Sequence, residues 1–263
     1  MSDSPADIWR LATTHIGRET HRYDLVDSTN TRALSFAEDP SRNGHVWLTR
    51  EQTAGRGQYG RVWQAPPGSS VLMSVLLFPP PALRRPVLLT AWAAVSVCDT
   101  VETLTSLPAR IKWPNDVLVH GKKVCGILIE QRTTSQPHFP LATVAGIGLN
   151  VSQSADLFTQ AGLLEAASLA SLTDARFTFE EVAHQLIHQL DARYNQLLTQ
   201  DWASLEDSWR QRIDLIDQDV IVEGFHETQR GRLVALTFAG VEIAQPGVIK
   251  HIPPGSIKHL RRE

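Results

Sequence analysis

Cysteine is nearly absent: Cys98 and Cys125 are the two in 263 residues. They lie far apart, with no His or Cys at ligand spacing beside them, which excludes a disulfide framework and a Cys-based zinc site. A reducing, cytoplasmic home is the simplest expectation. Net charge is also scarce, at -3, so nothing draws the whole chain toward nucleic acid or anionic lipid, and any phosphate chemistry must be local. No stretch reads as a membrane span, no basic head precedes an apolar run at the N-terminus, and no repeat or low-complexity tract interrupts the chain. What is present is ordinary globular material, 42 % apolar and 20 % charged, long enough for one substantial domain and a small one.

The most distinctive stretch is Gly55-Arg56-Gly57-Gln58-Tyr59-Gly60-Arg61. Glycines at this spacing let backbone amides converge on an anion by adopting positive φ, and two guanidinium forks suit phosphate or carboxylate. By itself the pattern is also that of a flexible surface loop. A Rossmann fingerprint would open a helix, whereas Pro66-Pro67-Gly68 follow closely here and oppose a helix start.

Residues 5–16 read as a short amphipathic helix with Ile8, Leu11 and Ala12 on one side and Gly17 as the stop. One helix is too little for a winged-helix DNA-binding domain. A strand over 22–26 leads to Asp27-Ser28-Thr29-Asn30 and a helix over 31–38. That tetrad suits an N-cap, and the same groups can hydrogen-bond a polar ligand head. A strand over 45–50 delivers Gln52 and the glycine loop. Residues 70–78 form a continuous apolar run of buried-strand length, ended by three prolines, and 84–104 read as a long helix with Trp92 in the core. Two β-rich runs around His120-Gly121 predict a hairpin, with Pro114 setting a bend before Asn115 and Asp116. A further strand pair is expected over 141–151, with Gly146 and Gly148 keeping side chains away from a ligand.

From Thr178 a capping box with Glu181 opens a helix, and 202–212 predict another. From about residue 213 the pattern becomes short strands between Gly and Pro turns, so the domains divide as 1–212 and 213–263. The basic end, Lys250, His251, Lys258, His259, Arg261 and Arg262, reads as a solvated edge, with an anionic partner as the sharper alternative.

Taken together, Asp27 to Asn30, the run from Gln52 to Trp63, Lys112-Trp113-Pro114-Asn115-Asp116, the run from Gly121 to Glu130 and Gly146 to Asn150 resemble the biotin protein ligases, in order and across nearly the whole chain. The resemblance implies an α/β (α+β) fold: a mixed-sheet catalytic domain of the biotin/lipoate ligase type, with a small C-terminal SH3-like β-barrel. It implies the monofunctional type, without an N-terminal DNA-binding domain. The implied reaction joins biotin and ATP, with Mg2+, into biotinyl-5'-AMP, then transfers biotin to a lysine of a biotin carboxyl carrier protein or domain. No DNA or membrane partner is implied, and a weak homodimer is admitted.

By the same resemblance, Arg56, Lys112 and Lys123 are the catalytic cations. Ser28, Thr29, Asn30, Gln52, Gly55, Arg56, Gly57, Lys123 and Gly126 bind biotin. Gln58, Tyr59, Arg61, Trp63, Asn115 and Asn150 hold ATP or the adenylate. No dedicated metal site is implied, Asp116 being the one candidate. The loop departs from the best-studied bacterial members at Gln58 and Tyr59, where arginines commonly stand, which implies looser retention of the intermediate. The alternatives are a lipoate or octanoyl ligase on the same fold, and a binding protein that is either a biotin-dependent repressor or an inactive adenylate holder.

Overall fold

The computed structural model describes residues 4–263. An eight-stranded sheet in the order β1-β2-β3-β4-β8-β7-β6-β5 carries the site. Its strands are β1 (Asp7–Trp9), β2 (Thr20–Val26), β3 (Val46–Gln52), β4 (Ser70–Leu77), β5 (Ala109–Lys112), β6 (Asp116–Val119), β7 (Lys122–Thr133) and β8 (Leu141–Asn150). Only β2 and β3 pair in parallel, with Val26 opposite Gln52. That parallel register brings the ends of both strands to the same side of the sheet.

β4 is buried at every position because both faces of the sheet are covered. On one side lies α1 (Thr29–Leu34), and on the other α2 (Pro86–Thr105), α5 (Phe179–Leu198) and α6 (Trp202–Ile213). α2 is apolar nearly all round because it sits between sheet and helices, its Trp92 fully buried and donating Nε1–H to Leu190 O. It is long and apolar enough to cross a membrane by length and composition, which corrects the reading that no stretch is; its burial makes it a core helix. Asp99 on α2 ties the layer together, accepting from Arg193 of α5 at 2.7 Å and Arg212 of α6 at 2.7 Å. The expected capping box opens α5, with Thr178 Oγ1 accepting from Glu181 N and Glu181 Oε2 from Thr178 N.

A second, antiparallel sheet in the order β12-β11-β10-β9-β13 closes the chain. It contains β9 (Asp219–Gly224), β10 (Thr228–Thr237), β11 (Gly240–Gln245), β12 (Val248–Ile252) and β13 (Ile257–Arg262). Phe238 docks it, meeting Trp209 of α6 at a tilt of 38° with ring centres 5.3 Å apart, and Trp209 in turn meets Trp113. Arg85 and Glu206 hydrogen-bond the backbone of the same Phe238.

Two expectations fail. Residues 5–16 are not a helix: Asp7–Trp9 adds an antiparallel edge strand to β2, and the chain then follows an irregular path. The reason is tertiary, since the amides of Thr14, His15 and Ile16 all donate to the Asp191 carboxylate on α5, giving the backbone partners that a helix would otherwise supply. Residues 141–151 hold one continuous strand, β8, and not a pair. In addition, α3 (Ala155–Gln160) and α4 (Leu169–Leu172) lie in a stretch from which no element was expected.

Candidate active site

A cavity of about 560 Å3 opens where the ends of β2 and β3, the glycine loop and the face of β7 and β8 meet, a size suited to a small-molecule substrate. One end is polar and buried. Ser28 occupies the N-cap position of α1, yet its hydroxyl makes no capping hydrogen bond, so the capping role expected of the tetrad is not realised. Thr29 instead binds Gln52: Oε1 accepts from Thr29 N at 2.8 Å and Oγ1 at 3.2 Å. Because Oε1 is thereby engaged, the Gln52 amide nitrogen is left as the donor. Asn30 is held between strands, its Oδ1 accepting from Ser74 Oγ at 2.5 Å and its Nδ2 donating to Glu130 at 2.7 Å.

Residues 55–63 close on themselves as a small hairpin, in which Trp63 N donates to Gly55 O and Gly57 N to Arg61 O. The glycines therefore do a different job from the one expected. Gly57 has negative φ and its amide is spent inside the loop, so the amides do not converge on an anion in this conformation. Gly55 permits close packing, since a Cβ there would lie 2.2 Å from Trp63 O, and it does not line the cavity. Gly60 has φ +75° and Tyr59 φ 56°, the turn at the loop's tip. Tyr59 meets Phe225 of the C-terminal sheet edge to face at 6.3 Å.

The glycines of β7 and β8 make room for the protein's own side chains. A Cβ on Gly148 would lie 2.6 Å from the Trp63 ring, one on Gly126 2.8 Å from it, and one on Gly146 2.1 Å from Asn30 Oδ1. Trp63 thus lies half-buried on a glycine floor, with Lys123 Nζ 5.7 Å from its ring centre.

The four cations divide into two kinds. Arg56 makes a bidentate pair with Glu130 at 2.8 and 2.9 Å, and Lys123 Nζ lies 2.5 Å from Asp116 Oδ1. Lys112 and Arg61 line the cavity and make no ion pair among the described residues. They are the charges available to an incoming anion without breaking an existing contact. The two asparagines are already engaged. Asn115 Nδ2 donates to Ile127 O at 2.7 Å, and Asn150 Nδ2 donates to Ala167 O while its Oδ1 accepts from Ser70 and Gln153.

Every candidate residue except Gly55 lines this cavity. Sequence reasoning missed Glu130, whose carboxylate joins Arg56 to Asn30; only its place at the end of an apolar run hinted at it. It also missed Glu223, His259 and Arg261 of the C-terminal sheet, which reach the cavity wall. The basic end is a solvent-exposed edge, as expected, with its charges paired, Arg261 with Glu223, Lys250 with Glu227 and His251 with Glu242, and with His259 and Arg261 also on the cavity wall.

The chain is similar to known proteins. The biotin/lipoate A/B protein ligase family model matches residues 23–150. The chain is 34% identical over 200 residues to the biotin–acetyl-CoA-carboxylase ligase of Paracoccus denitrificans, covering 74% of this chain and 81% of that one. It is 31% identical over 242 residues to the ligase of the same description from Mycobacterium tuberculosis, covering 86% of each. A biotin protein ligase from Aquifex aeolicus, solved in complex with biotin and ATP, superposes with a TM-score of 0.77 at 25% identity, over 93% of this chain and 99% of that one.

Proposed function

The chain belongs to the biotin protein ligases, and on that premise we propose which of its residues carry the two half-reactions. The enzyme activates biotin with ATP and transfers it to a protein lysine. In the first step a biotin carboxylate oxygen attacks the α-phosphorus of ATP, and pyrophosphate leaves as biotinyl-5'-AMP forms. In the second, a lysine amine of a biotin carboxyl carrier domain attacks the acyl carbon; it loses a proton as AMP leaves. The first step brings two negatively charged groups together, so fixed positive charge and positioning supply its catalysis; the second needs the amine positioned at the acyl carbon and the departing AMP phosphate stabilised.

The observation that carries the assignment is the division of the cavity. Its buried end, Ser28, Thr29, Asn30 and Gln52, offers donors and acceptors to the ureido ring, whose carbonyl accepts and whose two N–H groups donate. Its open end offers Trp63 as a stacking face for adenine, with the unpaired Lys112 and Arg61 for the triphosphate. Lys123, beside Trp63 and Asp116, lies between the two ends and is assigned to the carboxylate and α-phosphate. Arg56 is assigned to holding the loop through Glu130. With their amides engaged by protein atoms, Asn115 and Asn150 position the adenylate pocket chiefly through the backbone they fasten.

Magnesium enters with ATP. The ion prefers six oxygens and is usually held by substrate phosphates with one or two carboxylates. Asp116 is the candidate from the sequence, and as a half-buried carboxylate on the cavity wall, already paired with Lys123, it fits a metal arriving on the nucleotide better than a resident one. When bound, the ion offsets phosphate charge. The two free, buried thiols are compatible with a reducing, cytoplasmic compartment.

Biotin titration of Thr29→Ala and Gln52→Ala tests the buried end. Each is expected to weaken biotin at least tenfold, from the loss of a hydrogen bond in a buried pocket. Unchanged affinity in both would remove the ureido assignment.

A further inference from the structure

Glu19, His21 and His45 gather at the opposite end of β2 and β3 from the cavity. Along β2 from His21 to Val26 the chain advances about 17 Å at ~3.3 Å per residue, so these groups do not touch the reaction site. Glu19 Oε1 lies 2.9 Å from His21 Nε2 and 3.8 Å from His45 Nδ1, and one ligand atom from each residue falls within 4.8 Å of the others. For a tetrahedral zinc ion with bonds of about 2.0–2.1 Å, neighbouring ligand atoms stand about 3.3 Å apart. The two distances from Glu19, 2.9 and 3.8 Å, bracket that spacing.

The two ring nitrogens are buried and neither makes an aligned hydrogen bond with any protein atom. The nearest group to both nitrogens is one shared carboxylate, Glu19, at 2.9 Å from His21 and 3.8 Å from His45. Buried polar nitrogens without partners are costly, and a cation is a partner that their lone pairs suit. The rings are also fixed. His21 stacks on Trp47 at 5.6 Å with an interplanar angle of 12°, and His45 lies 5.7 Å from His21 and 6.3 Å from Trp47. Val46 N donates to Glu19 O at 3.1 Å, which locks the start of β3 against the residue that supplies the carboxylate.

We propose that Glu19, His21 and His45 form a binding site for a divalent transition-metal ion of the zinc class. Two imidazoles and one carboxylate match borderline metals, whereas Mg2+ and Ca2+ prefer all-oxygen sets. A fourth position faces outward, since the Glu19 and His45 side chains keep 29% and 20% of their exposure while His21 keeps 9%. The neighbouring charges leave the site workable: Arg42 is held by Asp39 at 3.1 Å and lies over Phe36, and Arg10 reaches Glu19 Oε2 at 3.7 Å. A bound ion would pin the starts of the parallel strands whose far ends carry Thr29 and Gln52, so its role is structural.

The test is titration of chelator-treated full-length protein with Co2+ in excess Mg2+, followed by visible absorption, then displacement by Zn2+. Wild type is expected to take up one equivalent with the intense bands of a tetrahedral ion, to lose them to Zn2+, and to melt at higher temperature when Zn2+ is bound. His45→Gln and Glu19→Gln are each expected to weaken Co2+ at least tenfold while keeping wild-type biotin binding, which reports an intact fold. His21 is left in place because its ring packs on Trp47. No saturable one-equivalent uptake by wild type, or uptake unchanged in both variants, overturns the site.

Discussion

Gly146→Ala is the most exacting test of how the buried end of the cavity is built. The new methyl would lie 2.1 Å from Asn30 Oδ1, 2.8 Å from its Cγ and 2.9 Å from its Nδ2, so Asn30 must leave its position. It would then lose the hydrogen bond from Ser74 and the one to the Glu130 carboxylate. A neutral buried bond is worth about 1 kcal/mol and one to a charged group about 1.5–3 kcal/mol, so a cost of about 3 kcal/mol is expected. Asn30→Ala removes the same two bonds and should cost a similar amount. In the Asn30→Ala background the methyl enters vacated space, and Gly146→Ala should then cost less than about 1 kcal/mol, a coupling well beyond the ~0.5 kcal/mol scatter of independent sites. Urea unfolding of the four proteins, followed by tryptophan fluorescence, measures the cycle. Biotin affinity should fall in Gly146→Ala as well, because Asn30, Thr29 and Gln52 share one network through Ser74. Additive costs, or a Gly146→Ala penalty below about 1 kcal/mol, would refute the packing argument.

Glu130→Gln keeps the shape but removes the charge that holds Arg56; as the pair is partly exposed, a loss of about 1 kcal/mol is expected. That loss should read out as roughly fivefold faster adenylate release, and an unchanged release rate would show that the pair does not hold the loop. Gln58→Arg restores a cation to the loop and should slow adenylate release about fivefold, from one added hydrogen bond to a charged group; equal rates would count against a retaining role for that position. Burial raises the Tyr194 phenol to about 12. Between its ordinary value near 10 and that value the unfolded chain releases the proton first, so the folded state binds more protons and stability falls as pH rises through this window. Tyr194→Phe should flatten that alkaline slope in urea unfolding midpoints, and an unaltered slope would place it elsewhere.

Much of the site was legible because its chemistry lies in short contiguous motifs, and the β-sheet brings their ends together. The apolar run of β4, the buried α2 and the Thr178 capping box were readable from period and local chemistry alone. The failures share one cause, which is that the deciding partner lies far along the chain. Residues 14–16 give their amides to Asp191 and so do not become a helix. Glu130 matters because Arg56 and Asn30 both reach it, and no local pattern records that. The glycines were visible as glycines, but the ring of Trp63 and the amide of Asn30, which occupy the space they leave, were not. Likewise, nothing in the sequence of β13 signals that His259 and Arg261 turn toward the cavity.

The central claim is biotin transfer through an adenylate made in this cavity. Its most direct measurement is intact mass spectrometry of a biotin carboxyl carrier domain incubated with this protein, biotin, ATP and Mg2+, with a lipoyl domain and lipoate in parallel. One biotinyl group is predicted on a single lysine of the carrier, dependent on ATP, with no modification of the lipoyl domain. No lysine-specific mass gain while a control ligase is active, or lipoylation in place of biotinylation, would contradict it.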